Sequence, residues 1–137
     1  MKIIISLAAC FVATTCFAVV FSSPKKALPY SGLCGTLGYA VYLLSLELKF
    51  GLAAAVFLAA SVIGIAAELL ARKLRMPATV FITAGIVPLV PGASAYLAML
   101  HFSQGDYPAA LLAASTVAYV ACAISAGLAI GTILRRR

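Results

Sequence analysis

Residues 85–96 read Gly-Ile-Val-Pro-Leu-Val-Pro-Gly-Ala-Ser-Ala-Tyr, which sets two prolines and two glycines inside an apolar run long enough to cross a bilayer. Proline has no N–H, so Pro88 cannot serve the carbonyl of Ala84, nor Pro91 that of Val87. Lipid offers no water in exchange. Such a break therefore persists only where the freed backbone groups face protein or line a cavity. Solute sites near the bilayer midplane are commonly built on interrupted helices of this kind.

Composition fixes the class. Of 137 residues, 65% are hydrophobic and only 9% charged, where a soluble domain carries about 25% charged residues. The mean hydropathy of +1.16 points the same way. The chain reads as an integral membrane protein, an all-α polytopic helical bundle in one domain. Its net charge of +7 sits in short clusters between apolar runs. That is the pattern of a topology signal, and no basic–aromatic alternation suggests nucleic acid.

Five apolar runs reach spanning length, at about residues 3–21, 28–46, 51–71, 78–101 and 107–134. Ser23 suits an N-cap with Pro24 as the first helical residue, Pro29 is expected to kink the second helix, and Asp106 suits the cap of the fifth. Five spans put the termini on opposite sides. With the N-terminus outside, Lys25, Lys26, Arg72, Lys73, Arg75, Arg135, Arg136 and Arg137 fall in the cytoplasm, and Lys2 and Lys49 outside. The reverse breaks the positive-inside rule. Met1-Lys2 and the apolar run after it resemble a signal peptide, but cleavage would leave Lys25 and Lys26 outside, so a retained first helix is expected.

The fourth span runs outward in this orientation. Pro88 lies ten residues after Ala78, about 15 Å deep at ~1.5 Å per residue, which is half of a core about 30 Å thick. If the helix resumes at Pro91-Gly92, the amides around Ala93 and Ser94 are left free. A helix N-terminus carries about half a positive charge and suits a carboxylate. Pro88, Pro91, Gly92, Ala93, Ser94 and Tyr96 are thus the candidate solute-binding residues, with the Ser94 hydroxyl and the Tyr96 phenol as added donors. A kinked packing helix is the bland reading of the same residues. Glu68 is the only acid well inside an apolar run, and it is a candidate gate or proton acceptor. Its plainer reading is an ion pair with Arg72, four residues on. Gly32, Gly35 and Gly38 are expected to let helices approach closely.

The four cysteines form no Cys-x-x-Cys pair, and one histidine cannot complete a metal site. No cofactor is expected. One His and three acids are scattered over the chain, which leaves no nucleophile–base set and no enzyme. A pore-forming oligomer calls for a polar stripe along one helix, and none is evident. A structural or assembly subunit that moves no solute is the alternative to a carrier.

Three segments carry a resemblance. They are Gly35-Thr36-Leu37-Gly38-Tyr39-Ala40-Val41-Tyr42, Ala67-Glu68-Leu69-Leu70-Ala71-Arg72, and Pro77-Ala78-Thr79-Val80-Phe81 followed by the break. Together they resemble the threonine/serine exporter (ThrE) family in its short, YjjB-like form, equivalent to the C-terminal membrane half of a full-length exporter. The match covers most of the chain from Ser23 onward; Ala84 departs from it, where the pattern has another proline. The resemblance implies export of small metabolites across a bacterial inner membrane, namely threonine and serine or a dicarboxylate such as succinate. It also implies a larger partner subunit supplying another five helices, and coupling to the proton gradient.

Overall fold

The computed structural model describes residues 2–135. Met1, Arg136 and Arg137 lie outside the described residues, as do the side chains of Lys2 and Arg135, which enter the charge count above. Every described element is helical, as the composition requires. The elements are α1 (Lys2–Val20), α2 (Leu28–Glu47), α3 (Leu52–Leu74), α4 (Thr79–Gly85), a 3₁₀ turn (Val87–Leu89), α5 (Gly92–Ser103) and α6 (Tyr107–Arg135). Three of them, α1, α3 and α6, are long and apolar enough to cross a membrane. The bent pair of α4 with its turn and α5 makes a fourth if counted as one span. At 20 residues α2 has the length, but its glycines, serines and tyrosines dilute its hydropathy.

Helix exits share one device. Ser23 N–H reaches Ala18 O at 3.0 Å, Phe50 reaches Ser45 at 3.1 Å, Met76 reaches Ala71 at 3.0 Å and Asp106 reaches His101 at 3.0 Å. Each bond spans five residues around a left-handed residue: Ser22, Lys49, Arg75 or Gly105. This is the Schellman closure, which satisfies carbonyls that lipid or headgroups cannot. Only Gly105 announces itself in the sequence.

The helix starts correct two expectations. α2 begins at Leu28 with Ala27 as N-cap, not at Pro24. Ala27 N–H instead closes a turn onto Pro24 O at 2.7 Å. Pro29 therefore falls in the first helical turn, where its missing N–H removes no intrahelical bond, and α2 continues to Glu47. Asp106 caps α6 as its position suggests, with Oδ1 accepting from Ala109 N–H at 3.3 Å.

α1, α2, α3 and α6 pack side by side in that order, and α4 with its 3₁₀ turn lies across α1, α2 and α3. The core is small: Ala27, Cys34, Ala59, Ala60, Ala67 and Ala71 surround Ile63, Phe81 and Leu89. Small residues make this possible because they bring backbones together. A Cβ on Gly35 would sit 2.7 Å from the Thr14 side chain, and one on Gly38 would strike Ile63. The tightest seam joins α3 to α6. Gly127 and Gly131, four apart on α6, lie on Ala60 and Gly64, four apart on α3. A Cβ on Gly131 would come within 2.6 Å of the Gly64 backbone. Without a hydrophobic drive between helices in lipid, such contact surfaces are what hold α3 and α6 together.

Gly127→Leu tests that seam, since its Cβ would meet Phe57 O at 2.7 Å. The expected cost is about 1–3 kcal/mol, read as a drop of several degrees in the melting temperature of the purified protein in detergent. Gly51→Ala, with open space around it, should leave that temperature unchanged.

Candidate functional site

The break is resolved bond by bond. α4 ends with Ile86 N–H on Ile82 O at 3.0 Å. The 3₁₀ turn then substitutes for the donors that proline removes: Leu89 N–H reaches Ile86 O at 2.9 Å and Val90 N–H reaches Val87 O at 3.3 Å. Val90 is extended (φ −64°, ψ 129°), as the residue before a proline must be. Pro91 (φ −78°, ψ 58°) is the centre of a tight three-residue turn closed by Gly92 N–H on Val90 O at 2.8 Å. The chain leaves the turn at an angle of 56° to α4. Ala95 N–H bonds Pro91 O at 3.0 Å, while the amides of Ala93 and Ser94 have no acceptor among the described residues. No side chain caps α5. These are two bare donors at a helix N-terminus, the chemistry that holds a carboxylate.

Two cavities flank this turn. One, of about 150 Å³, is lined by Pro88, Pro91 and Ser94 together with Tyr42, Val56 and Thr116. The other, of about 400 Å³ and more open, lies between α1 and the turn and is lined by Ser6, Cys10, Thr14, Tyr39 and Pro88. Pro88 is common to both. Tyr39 and Tyr42 stack on each other with centroids 6.0 Å apart, one ring toward each cavity. Of the residues singled out in the sequence, Pro88, Pro91 and Ser94 come together. Gly92 and Ala93 are exposed beside them. Tyr96 is 66% exposed and does not line the cavity, because it lies two residues beyond Ser94 and so on another face of α5.

Glu68 stands apart from the break. It is 7% exposed and lines a cavity of about 670 Å³ at the α3–α4 junction, with Arg72, Arg75, Thr79 and Ile82. The ion pair with Arg72 is not formed. Among the described residues Glu68 has no hydrogen bond and no ion pair. The four-residue spacing allows the contact; the arginine is exposed while the acid is buried in the junction. An acid within a membrane-length apolar helix, lining a cavity without a partner among the described residues, is a candidate for function. His101 and Asp106 meet at 4.0 Å across the α5–α6 connection, away from both places.

Sequence reasoning missed Ser6, Cys10 and Thr14, Tyr39 and Tyr42, and Thr116. The first three recur every four residues and share one face of α1. That period was there to be read. The two tyrosines, three apart on α2, appeared only as part of a family pattern. Thr116 bonds back to Leu112 O at 3.1 Å and left no sequence signal.

A thiol placed at the cavity should report its access. In a chain with Cys10, Cys16 and Cys122 changed to Ala, Ser94→Cys should react with a small water-soluble methanethiosulfonate. The remaining Cys34, fully buried and donating to Ile63 O at 3.6 Å, should not. Equal inertness of both thiols would mean that the cavity is sealed from water.

Comparison with known proteins follows this geometry. A family model described as "Threonine/Serine exporter, ThrE" matches residues 6–134. An uncharacterized protein of Haemophilus influenzae is 35% identical over 88 residues, which are 64% of this chain and 30% of that protein. The chain therefore matches under a third of a relative about twice its length. No solved structure matches. With its apolar helices and this match over nearly its whole length, the chain is a membrane protein that belongs to the threonine/serine exporter (ThrE) family.

Proposed function

We propose that this chain is one subunit of a bacterial inner-membrane exporter of small carboxylate metabolites, threonine and serine or a dicarboxylate such as succinate. It crosses the membrane five times with the N-terminus outside and the C-terminus in the cytoplasm, and it works with a larger five-helix subunit. One observation carries the reading: two amides without acceptors, Ala93 and Ser94, at the start of α5, beside a cavity that Ser94 also lines. In this reading those amides and the Ser94 hydroxyl hold the solute's carboxylate, Pro88 and Pro91 keep the helix open there, and Gly92 leaves the approach clear, with open space where a Cβ would stand. Glu68 serves as gate or proton acceptor on the cytoplasmic side.

The partner is supported by what α5 lacks. It has no buried residue, and its outward face carries Tyr96 and the backbone around Gly92. Polar groups at that depth call for protein rather than acyl chains. The greater length of the H. influenzae relative is consistent with a second half supplied in the same polypeptide. The competing reading, an assembly subunit without a solute site, accounts for an unburied α5 but gives no use to the bare amides.

Changing Pro91 and Gly92 together to Ala lets the helix close over the site. Uptake of labelled solute into inverted vesicles containing both subunits, which is export seen from the cytoplasmic face, should fall at least tenfold, while the amount inserted stays the same. Undiminished flux at equal insertion would remove the break from the mechanism. For the topology, a C-terminal reporter that works only in the cytoplasm should be active, and one that works only outside should be silent.

A further inference from the structure

Among the described residues, the lysines and arginines gather at one end of the bundle. The α1–α2 connection holds Lys25 and Lys26, and the end of α3 holds Arg72, Lys73 and Arg75, all exposed. Ala27 and Ala71 belong to one core cluster, which sets these two segments side by side. Lys49 lies at the other end, where Glu47 and Asp106 offset it. The helix α3 has the length and hydropathy to cross a membrane, so its last turn stands at headgroup depth. There the α3–α4 junction opens a cavity of about 670 Å³, lined by Glu68, Arg75, Met76, Ala78, Thr79 and Ile82. Arg72 lines it as well and already has an interaction of its own. Arg75 has neither a hydrogen bond nor an ion pair among the described residues.

Three chemistries line this space at different depths. Arg75 is exposed at the rim, and its guanidinium offers the planar fork that matches a phosphate. Glu68 lies seven residues earlier, about 10 Å deeper along α3 at ~1.5 Å per residue, and is a buried acceptor without a donor. Met76, Ala78 and Ile82 add an apolar lining. An occupant that suits all three brings one anionic phosphate for the rim, neutral hydroxyl donors for the acid, and hydrocarbon for the rest. A free phosphate shares the first of these features and has neither of the others. A second anionic group would face the acid. We propose that this cavity seats an anionic phospholipid whose headgroup ends in free hydroxyls, with its phosphate on Arg75 and a hydroxyl donating to Glu68. The surrounding cations draw anionic lipid to this end of the bundle. The inference needs only the membrane reading, and it stands whether or not the chain moves a solute.

The test is native mass spectrometry of the full chain, with whatever membrane subunit co-purifies. The detergent carries equal amounts of phosphatidylglycerol, phosphatidic acid, phosphatidylethanolamine and phosphatidylcholine with the same acyl chains. Wild type should retain phosphatidylglycerol at least fivefold over each of the others. Arg75 closes α3 in the left-handed conformation (φ 53°), where glycine is the usual residue, so Arg75→Gly removes the guanidinium and keeps the closure. It should lower phosphatidylglycerol retention about fivefold, the worth of one cation at a membrane surface. Lys26→Gln, which removes a cation outside the cavity, should change retention less than twofold. Glu68→Gln removes the charge that repels phosphatidic acid and should narrow the preference for phosphatidylglycerol over it at least threefold. Unaltered retention in Arg75→Gly, or an equal loss in Lys26→Gln, overturns the site, the second because it marks a diffuse surface field. Phosphatidic acid held as well as phosphatidylglycerol by wild type overturns it, as does a preference for phosphatidylethanolamine. Displacement of phosphatidylglycerol from wild type by millimolar inorganic phosphate marks a free-anion site, and the lipid falls.

Discussion

In hydrocarbon no backbone polar group can borrow a partner from water, and the arrangement of this chain follows from that. The long helices comply by keeping their own bonds, and their exits comply through five-residue closures at Ser22, Lys49, Arg75 and Gly105. Residues 86–94 are where the deficit common to helix starts falls within an apolar run and not at its end. The 3₁₀ turn and the tight turn at Pro91 recover the bonds that two prolines removed, which is why the break is a compact bend and not a frayed loop. The deficit left over is two amides at the start of α5. Two neutral donors in one place cost less than a buried charge.

The small-residue seams decide how the bend is held. α3 is the middle of the bundle, with 44% of its most apolar window buried against 17% for α1 and 11% for α6. It can contact α2, α4 and α6 at once because the surfaces that meet it are alanine and glycine. Close backbone approach also limits how much side-chain bulk the core contains. Phe81 and Ile63 are the largest fully buried side chains among the described residues, and they sit where α4 crosses α3. A bundle this thin reserves its volume for that crossing and leaves the flanks of the turn hollow.

How much of this the sequence disclosed varies with the kind of signal. Class and helix content were legible because apolar runs separated by charge clusters have one physical solution in lipid. The break was legible because proline removes a donor wherever it stands. The helix start at Leu28 was not: Pro24 and Pro29 both suit a first turn, and only the turn closed by Ala27 on Pro24 decides between them. The left-handed closures at Ser22, Lys49 and Arg75 use residues that carry no such preference. The α3–α6 seam could have been read from Gly127 and Gly131 at a spacing of four, as the triplet on α2 was. Which side chains share a cavity with Ser94 depends on the 56° bend, and no local rule supplies its direction. The isolation of Glu68 from Arg72 is likewise a tertiary fact, since the spacing alone predicts a pair.

The cavity that Glu68 lines and the proline turn lie at opposite ends of one short element. α4 has seven residues, about 10 Å at ~1.5 Å per residue, between the cavity of Glu68 and Thr79 and the turn at Val87. The space between is the fully buried contact of Phe81 with Ile63 and the alanines of α3. α4 is bounded by a left-handed closure at Arg75 and by the 3₁₀ turn, whereas the α3–α6 and α1–α2 seams are backbone against side chain or backbone against backbone. The short helix that leads into the obligatory break is thereby seated in the bundle through Phe81, its fully buried ring.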